Sequence, residues 1–418
     1  MLIYFKVGNF KSIKEPLILN FLASSISEHV ESNVIKVDKQ EILKSLLLYG
    51  HNASGKSKIL DAFIFFKDFI TNSAVTYQGD EKINVEPFRL SEETEKKPSY
   101  FEACFILENV KYRYGFEVDK QSVHKEWLLQ SKATKEYPVF LRMKDDFEIH
   151  KNRFENAEGL EKRTRRNALF LSVASQWNVT KAETINKWFA SIFTVSGLTD
   201  NITFKSLTIE LFSNPRFAEL IQKFIQRADL GIHAINIDDI PEIPQLVREG
   251  VVYYASKNSS MGKAVLTLHR KYDSKKNIVG TETFLLDKDE SEGTKKYFSL
   301  IGLILTALYE NKLVVMDEFD ARLHTLLSKA IIKLFNSSKI NTNGQLLVAG
   351  HDTALLDKNI LRRDQIYFVE KDNFGATNTT SLVEYKPRKE SPYDRNYLEG
   401  KYGAIPFIDD LETLVANG

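Results

Sequence analysis

The chain has 418 residues, of which 43% are hydrophobic, and this length predicts roughly two to three domain-sized units or one large domain with an insertion. The 57 Lys and Arg residues nearly balance the 56 Asp and Glu residues, which argues against a globally basic, nucleic-acid-binding surface. A single cysteine excludes an internal disulfide, and no apolar stretch reaches the ~18 residues of a membrane span. Because the sequence also starts without a basic leader, we expect a cytoplasmic protein that is not attached to a membrane.

The first elements along the chain predict a hairpin and then a phosphate-binding loop. Residues 2–8 and 16–22 have strand character, and Asn-Phe-Lys-Ser at 9–12 connects them. The apolar run 46–49 then leads into Gly-His-Asn-Ala-Ser-Gly-Lys-Ser at 50–57, which a helical pattern follows. Strand, glycine-bounded loop and helix are the context that a P-loop requires, so a chance match in a turn is disfavoured.

Each residue type in this loop has a physical role in holding phosphate. Gly50 and Gly55 let the backbone curl so that its N–H groups point at phosphate oxygens, next to a helix N-terminus. Lys56 would reach the β- and γ-phosphates, and the hydroxyl of Ser57 would bind Mg²⁺. The remaining predicted nucleotide contacts are Asn52, Ala53, Ser54 and Lys58.

The middle of the chain predicts an antiparallel β region followed by helices. Residues 100–107 and 111–118 alternate as a hairpin, and 126–129 predict a further strand. Cys104 lies in the first of these strands, where we expect a buried thiol and not a nucleophile. Helical spacing between 178 and 230 indicates a mainly helical insertion over 131–230.

A basic cluster, Lys-Arg-Thr-Arg-Arg at 162–166, stands inside that insertion. A solvated helix face is the favoured interpretation, and a contact with nucleic acid or a partner is the alternative. Further strands are expected at 231–240, 251–255 and 263–269, and a polar tail at 386–402 precedes a short apolar end.

Acidic residues end the next strongly apolar strand, 312–318. Carboxylates at the carboxyl end of a buried parallel strand fit Asp317 as a holder of Mg²⁺ and Glu318 as the general base that polarises the attacking water. An ordinary core strand that happens to end in acids is the alternative, and the P-loop upstream makes it the weaker one.

Two further motifs flank the acidic strand. Ser-Glu-Gly-Thr at 291–294 opens a helix, so Ser291 and Gly293 could contact a phosphate that is not held by their own P-loop. His351 ends the apolar strand 345–350, where it could hydrogen-bond the γ-phosphate. Asp320 lies between Glu318 and His351.

The order of these motifs resembles that of ABC-type ATPases. The forms Gly-x-Asn-x-Ser-Gly-Lys-Ser at 50–57 and Asp-Glu-x-Asp-x-x-Leu-His at 317–324 look like the soluble SMC/RecF/OLD-type branch. Within it, Phe-Arg-Leu at 88–90, Asn-Ala-Leu-Phe-Leu-Ser at 167–172 and the tail 396–406 resemble bacterial ATPases of abortive-infection and phage-defence operons.

This resemblance implies an α/β fold of ABC-ATPase head type, with a mixed sheet, an antiparallel β subdomain and a helical insertion. It implies a homodimer or higher homo-oligomer that sandwiches ATP and Mg²⁺, in which Ser291 and Asp320 face the partner copy. It further implies that Lys11 approaches the phosphates and that a separate effector, often a nuclease toxin, acts beside the chain. No acidic nuclease cluster follows residue 385, and the glutamine of the loop that links nucleotide to the other lobe is unassigned.

The predicted domains are therefore 1–130 and 231–385 for the two parts of the ATPase head, 131–230 for the insertion and 386–418 for the tail. The predicted function is an ATPase that acts as the sensor of an anti-phage system. The rivals are a DNA-repair ATPase that clamps duplex DNA and a scaffold whose ATP is structural.

Overall fold

The computed structural model describes residues 1–132, 135–197, 202–240 and 262–405. The predicted strand 251–255 and the final part of the predicted tail lie outside these residues. Contacts between residues divide the chain into two compact units. The first comprises Met1–Val195, Asn311–Phe319 and Ile332–Gly418, and the second comprises Ser196–Glu310 and Asp320–Ile331.

The described strands form four sheets. They are β1 (Leu2–Gly8), β2 (Leu17–Asn20), β3 (Val34–Val37), β4 (Gln40–Leu43), β5 (Ser45–Tyr49), β6 (Ser99–Leu107), β7 (Val110–Val118), β8 (Val123–Lys132), β9 (Lys135–Met143), β10 (Asp146–Ile149), β11 (Phe193–Ser196), β12 (Ile232–Ile240), β13 (Gly262–Tyr272), β14 (Ile278–Leu285), β15 (Leu313–Asp317), β16 (Gln345–Gly350), β17 (Ile366–Lys371) and β18 (Thr377–Ser381).

The described helices range from single turns to 21 residues. They are Val30–Asn33, Lys56–Thr76, Glu92–Glu95, Phe170–Gln176, Thr180–Ala190, Ile202–Phe212, Pro215–Arg227, Leu286–Asp289, Glu292–Tyr309, Thr325–Asn336 and Tyr393–Leu398, with 3₁₀ turns at Glu161–Arg163, Thr353–Leu355 and Arg363–Gln365. None of the described helices is long and apolar enough to span a bilayer.

The mixed sheet has the order β11-β15-β16-β5-β17-β18. Its central strands β15, β16, β5 and β17 pair in parallel. Tyr49 at the end of β5 pairs with Gly350 at the end of β16. Because parallel strands end at the same edge, the residues that follow β5, β15 and β16 share one edge of this sheet.

A seven-stranded antiparallel sheet, β10-β9-β8-β7-β6-β1-β2, forms the other large layer of the first unit. It contains both hairpins expected from the alternating sequence, β1-β2 and β6-β7. Cys104 of β6 is buried, and burial raises the pKa of its thiol to about 11. The thiol is therefore protonated at neutral pH and is a core residue, as predicted.

Helix Lys56–Thr76 packs in the core of this unit. Its buried face carries Phe63 and Phe66, whose rings lie against residues of the antiparallel sheet. The Phe66 ring stacks on Phe116 at 5.4 Å, and Phe63 meets Phe5 edge-on at 5.1 Å. The same cluster includes Leu48 and side chains of β15 and β16, so this helix is held on an apolar core that spans both sheets.

The second unit has its own small core. Helix Glu292–Tyr309 is buried along most of its length. Gly302 lets this helix pack closely against helix Ile202–Phe212, because a Cβ at position 302 would lie 2.5 Å from the Thr208 hydroxyl. That hydroxyl donates to the carbonyl of Phe298 at 3.0 Å. Sheet β12-β13-β14 completes the unit, as the alternation of residues 231–240 and 263–269 predicted.

The predicted fold class, α/β with a mixed sheet and an antiparallel β subdomain, is confirmed. Residues 135–149 differ from the expected helical insertion 131–230, because they form β9 and β10 at the end of the antiparallel sheet. Only Val139, Phe140 and Arg142 of β9 are buried, so charged residues hide the period-two pattern of this strand. The division between the two units also falls after Val195, and not at residues 230–231.

A buried polar network supports the segment 167–172. The carboxylate of Glu126 accepts hydrogen bonds from the Tyr114 hydroxyl at 2.9 Å and from the backbone of Phe170 and Leu171 at 2.7 and 2.9 Å. It also pairs with Arg142 at 3.5 Å. Burial raises the pKa of Glu126 and lowers that of Arg142, so each charge depends on its partners.

Replacing Glu126 with Ala leaves Arg142 as an uncompensated buried charge and removes the acceptor for three donors. We expect a loss of about 3–5 kcal/mol in the free energy of unfolding, measured by urea titration. Glu148→Ala, in the exposed strand β10, serves as the control and should change stability by less than about 1 kcal/mol. Equal effects of the two substitutions would contradict the importance of the network.

Candidate functional site

The loop that follows β5 lies at the shared edge of the mixed sheet. The five residues of β5 are all buried, so the apolar run fixes the point where the loop starts. Helix Lys56–Thr76 begins directly after Gly55, whose φ of 111° lies in a region that favours glycine. Strand, loop and helix therefore occur where the sequence pattern predicted them.

Both glycines of the loop are required by close packing. A Cβ at Gly50 would lie 2.2 Å from the carbonyl oxygen of Val369 on β17. A Cβ at Gly55 would lie 2.1 Å from the Thr377 hydroxyl on β18. Strands β17 and β18 thus lie so close to the loop that no residue larger than glycine fits at position 50 or 55.

Lys56 is the buried charged group of this loop, with 4% of its surface exposed. Its Nζ donates to the carbonyls of Gly50 at 2.7 Å and His51 at 3.0 Å. The same nitrogen lies 3.3 Å from Nδ1 of His351. Two residues that the sequence analysis assigned to phosphate chemistry, 295 positions apart, are thus in contact.

The loop also has the chemistry of an anion site. The Ser54 hydroxyl is fully buried, and no hydrogen-bond partner for it occurs among the described residues. Next to it are the ammonium of Lys56 and the N-terminus of a helix of 21 residues. Asn52 and Ala53 are exposed on the loop, and in the first turn of the helix Ser57 is half-buried and Lys58 is exposed.

The acidic pair occupies the same sheet edge. β15 ends at Asp317, whose carboxylate accepts a hydrogen bond from the backbone of Glu318 at 3.0 Å. Glu318 has a φ of 47°, and the next residue, Phe319, donates to Ala349 of β16 at 2.9 Å. This sharp turn presents the two carboxylates at the strand end beside β16, which leads to His351.

The donor set fits Mg²⁺ held jointly with phosphate. Across the described residues, no group of three His, Cys, Asp or Glu side chains could hold a metal ion alone. Mg²⁺ typically binds through one or two protein ligands, water and phosphate oxygens. A hydroxyl from Ser57 and a carboxylate from Asp317 match that requirement.

The structure places Lys11 beside the same helix, in contact with a carboxylate. Its Nζ pairs with Asp61 at 2.7 Å, and Lys58 pairs with the same carboxylate at 3.2 Å. Ser12, the next residue, accepts a hydrogen bond from the backbone of Thr377 at 2.7 Å, and the hydroxyls of the two residues lie 2.8 Å apart. The connection 9–12 is thus hydrogen-bonded to β18, the strand whose Thr377 also lies against Gly55.

Ser291, Gly293 and Asp320 belong to the second unit. The Ser291 hydroxyl caps helix Glu292–Tyr309 by accepting from the backbone of Thr294 at 3.2 Å. A Cβ at Gly293 would lie 2.7 Å from the carbonyl of Arg322. Residues 291–294 and the residues after Asp320 are therefore packed together within this unit.

The side chain just before Ser291 is also anchored. One carboxylate oxygen of Glu290 contacts the Thr267 hydroxyl at 2.6 Å and Nε2 of His269 at 2.7 Å, both on β13. This contact, like those of Thr377 and Asp61 at the P-loop, was not predicted from the sequence. These residues carry no local motif that would have revealed them.

The arginines of the basic cluster 162–166 make contacts within the chain. Arg165 donates to the carbonyl of Ala74 at 2.8 Å, and Arg166 pairs with Asp145 at 2.6 Å. The guanidinium of Arg163 lies 4.0 Å from the centre of the Trp177 ring. Each of the three arginines of the cluster therefore has a partner within the chain.

Comparison with known proteins finds a family model described as "AAA domain, putative AbiEii toxin, Type IV TA system", which matches residues 45–357. No curated protein matches the chain. Among solved structures, an SMC head bound to the C-winged helix domain of ScpA has a TM-score of 0.46 and 15% identity over 92% of this chain and 99% of that chain. The SMC head domain from Thermotoga maritima has a TM-score of 0.40 and 15% identity over 91% and 98% of the two chains.

The packing around Gly50 predicts a strong effect of a single methyl group. Gly50→Ala forces a Cβ against the carbonyl of Val369, and we expect a loss of about 1–3 kcal/mol in the free energy of unfolding. Gly280→Ala on β14, where a Cβ meets nothing within 4 Å, is the matched control. If both variants unfold at the same urea concentration as the unmodified chain, the loop is not packed as described.

Proposed function

Because the chain belongs to the AAA-domain family whose model it matches, we propose that it binds ATP at residues 50–57 and hydrolyses it. The contact between Lys56 and His351 carries this proposal, since it joins the P-loop to the strand end beside the acidic pair. Ordinary core packing does not require a buried ammonium, a buried hydroxyl without a partner and two carboxylates at one sheet edge. A site for the polyphosphate of a nucleotide does.

In this proposal each residue has one role in the reaction. The backbone of residues 52–57 and the Lys56 ammonium bind the β- and γ-phosphates. Glu318 accepts a proton from the water that attacks the γ-phosphorus, and the bond from that phosphorus to ADP breaks. His351 hydrogen-bonds the γ-phosphate. Bound Mg²⁺, held by Ser57 and Asp317, would neutralise charge on the phosphate oxygens.

The second unit supplies residues for a second copy of the chain. We assign Ser291, Gly293 and Asp320 to contacts with the nucleotide or P-loop of a partner, because the N-terminus of helix Glu292–Tyr309 carries a positive end that favours anions. ATP would then hold two copies together, and hydrolysis would release them. The description of the matched family, which names a putative AbiEii toxin and a type IV TA system, supports a role in an abortive-infection system. In that role we propose that the switch controls a separate effector, such as a nuclease toxin.

Removing the general base should separate binding from turnover. Glu318→Gln is expected to bind ATP, to lose ~10²–10⁴ in the rate of hydrolysis and to remain a dimer in ATP. Light scattering with ATP and with ADP measures this state, and Glu158→Gln, an exposed surface substitution, is the control. A Glu318→Gln protein that binds ATP but stays monomeric would contradict the proposal that ATP holds two copies together.

Removing the phosphate-binding ammonium should abolish both steps. Lys56→Ala is expected to weaken ATP binding and to reduce phosphate release to the background rate, whereas Lys151→Ala on the surface leaves both unchanged. Calorimetry with ATP and a phosphate-release assay give the two readouts. Turnover that survives in Lys56→Ala would exclude residues 50–57 as the catalytic site.

A further inference from the structure

The carboxyl-terminal segment 393–405 contacts the P-loop directly. The carbonyl of Ala404 accepts a hydrogen bond from the backbone of His51 at 3.3 Å. The same oxygen accepts one from the Tyr397 hydroxyl at 2.7 Å. One carbonyl of the tail thus joins its own helix, Tyr393–Leu398, to the second residue of the loop.

Aromatic rings hold this segment against the mixed sheet. The ring of Tyr397 stacks on Phe368 of β17 at 5.6 Å, and Tyr402 stacks on Phe368 at 5.2 Å. Tyr397 also meets Tyr49 edge-on at 4.8 Å. Tyr397 and Tyr402 are 4% and 3% exposed, so the tail forms part of the core beside β5.

Tyr49 links this contact to His351, the residue that is predicted to hydrogen-bond the γ-phosphate. Its hydroxyl donates to the carbonyl of His351 at 2.6 Å. Its ring rests on Tyr397, and the chain continues from it into Gly50. A single buried side chain therefore connects the tail, the start of the P-loop and the backbone of His351.

The path of the tail depends on one glycine. Gly403 has a φ of 62°, and a Cβ there would lie 2.8 Å from Oε2 of Glu370. That oxygen accepts a hydrogen bond from the backbone of Ala404 at 2.9 Å. A side chain at position 403 would displace the bond that holds Ala404 against the loop.

We propose that Tyr49 and Tyr397 are positioning residues for hydrolysis, and that through them the segment 393–405 sets the placement of His51 and His351. This proposal rests on the proposed ATPase function. Neither tyrosine is assigned a contact with nucleotide. Tyr49 acts on His351, which is assigned a contact with the γ-phosphate, and Tyr397 acts through Ala404 on His51, whose carbonyl binds the Lys56 ammonium. A shift of about 1 Å in a catalytic site costs roughly 10² in rate.

The test removes single hydroxyl groups while leaving the rings in place. Tyr49→Phe loses the bond to His351, and Tyr397→Phe loses the bond to Ala404. Tyr367→Phe is the matched control, because that buried hydroxyl on the same sheet contacts the backbone of Asn20 at 3.3 Å, away from the loop. We expect kcat to fall about tenfold or more in Tyr49→Phe and Tyr397→Phe, with ATP affinity and melting temperature close to those of the control.

A second pair of variants tests the path of the tail. Gly403→Ala should lower kcat, whereas Gly79→Ala should not, because Gly79 also has a positive φ of 50° but a Cβ there meets nothing within 4 Å. If Gly403→Ala does not fold, the hydroxyl variants decide the question. A fall in melting temperature with unchanged kcat would make the segment merely structural and overturn the proposal.

Turnover of the unmodified chain and of Lys56→Ala separates the two proposals. If the unmodified chain has no turnover that depends on Lys56, the proposed ATPase function fails and this proposal fails with it. If that turnover is present and Tyr49→Phe, Tyr397→Phe and Gly403→Ala all retain it, only the role of the segment 393–405 is overturned.

Discussion

The buried ammonium of Lys56 is the interaction on which the site depends. A charged group that is 4% exposed must replace its lost water with polar partners, and Lys56 does so with the carbonyls of Gly50 and His51. These carbonyls can point inward only if the loop curls tightly around the amino group. The same nitrogen reaches His351, so the charge also ties the loop to the end of a neighbouring strand.

Packing from both large sheets keeps this arrangement in place. β17 and β18 leave no space for a Cβ at Gly50 or Gly55, and the aromatic core beneath helix Lys56–Thr76 fixes the direction in which the helix leaves the loop. Parallel pairing of β5, β15 and β16 then brings the acidic strand end to the same edge. Rigid strands and an apolar core thus support site residues that lie at strand ends, in a loop and at a helix start.

The two groups of residues in the proposed function lie in different units. The P-loop, Asp317, Glu318 and His351 lie in the first unit, while Ser291, Gly293 and Asp320 lie in the second. Each group is organised within its own unit, the first around a buried cation and the second around the capped helix Glu292–Tyr309. A nucleotide shared between copies of the chain would use both groups.

The sequence by itself determined the elements whose signals are local: the buried apolar strands, the glycine-bounded loop and the acidic strand end. Apolar runs and glycines act through the conformations of neighbouring residues, so they can be read along the chain. Only the tertiary structure decided that Thr377 covers Gly55, that Lys11 pairs with Asp61, that the arginines of 162–166 make contacts within the chain and that Ala404 binds His51. It also decided that residues 135–149 are strands, because pairing with β8 outweighs their mixed charge. Apart from the β8–β9 pairing, these contacts join residues well separated in the chain, and they escaped prediction because long-range packing and hydrogen bonding leave no local pattern. The β8–β9 pairing is local, and the exposed charged residues of β9 hide its alternation.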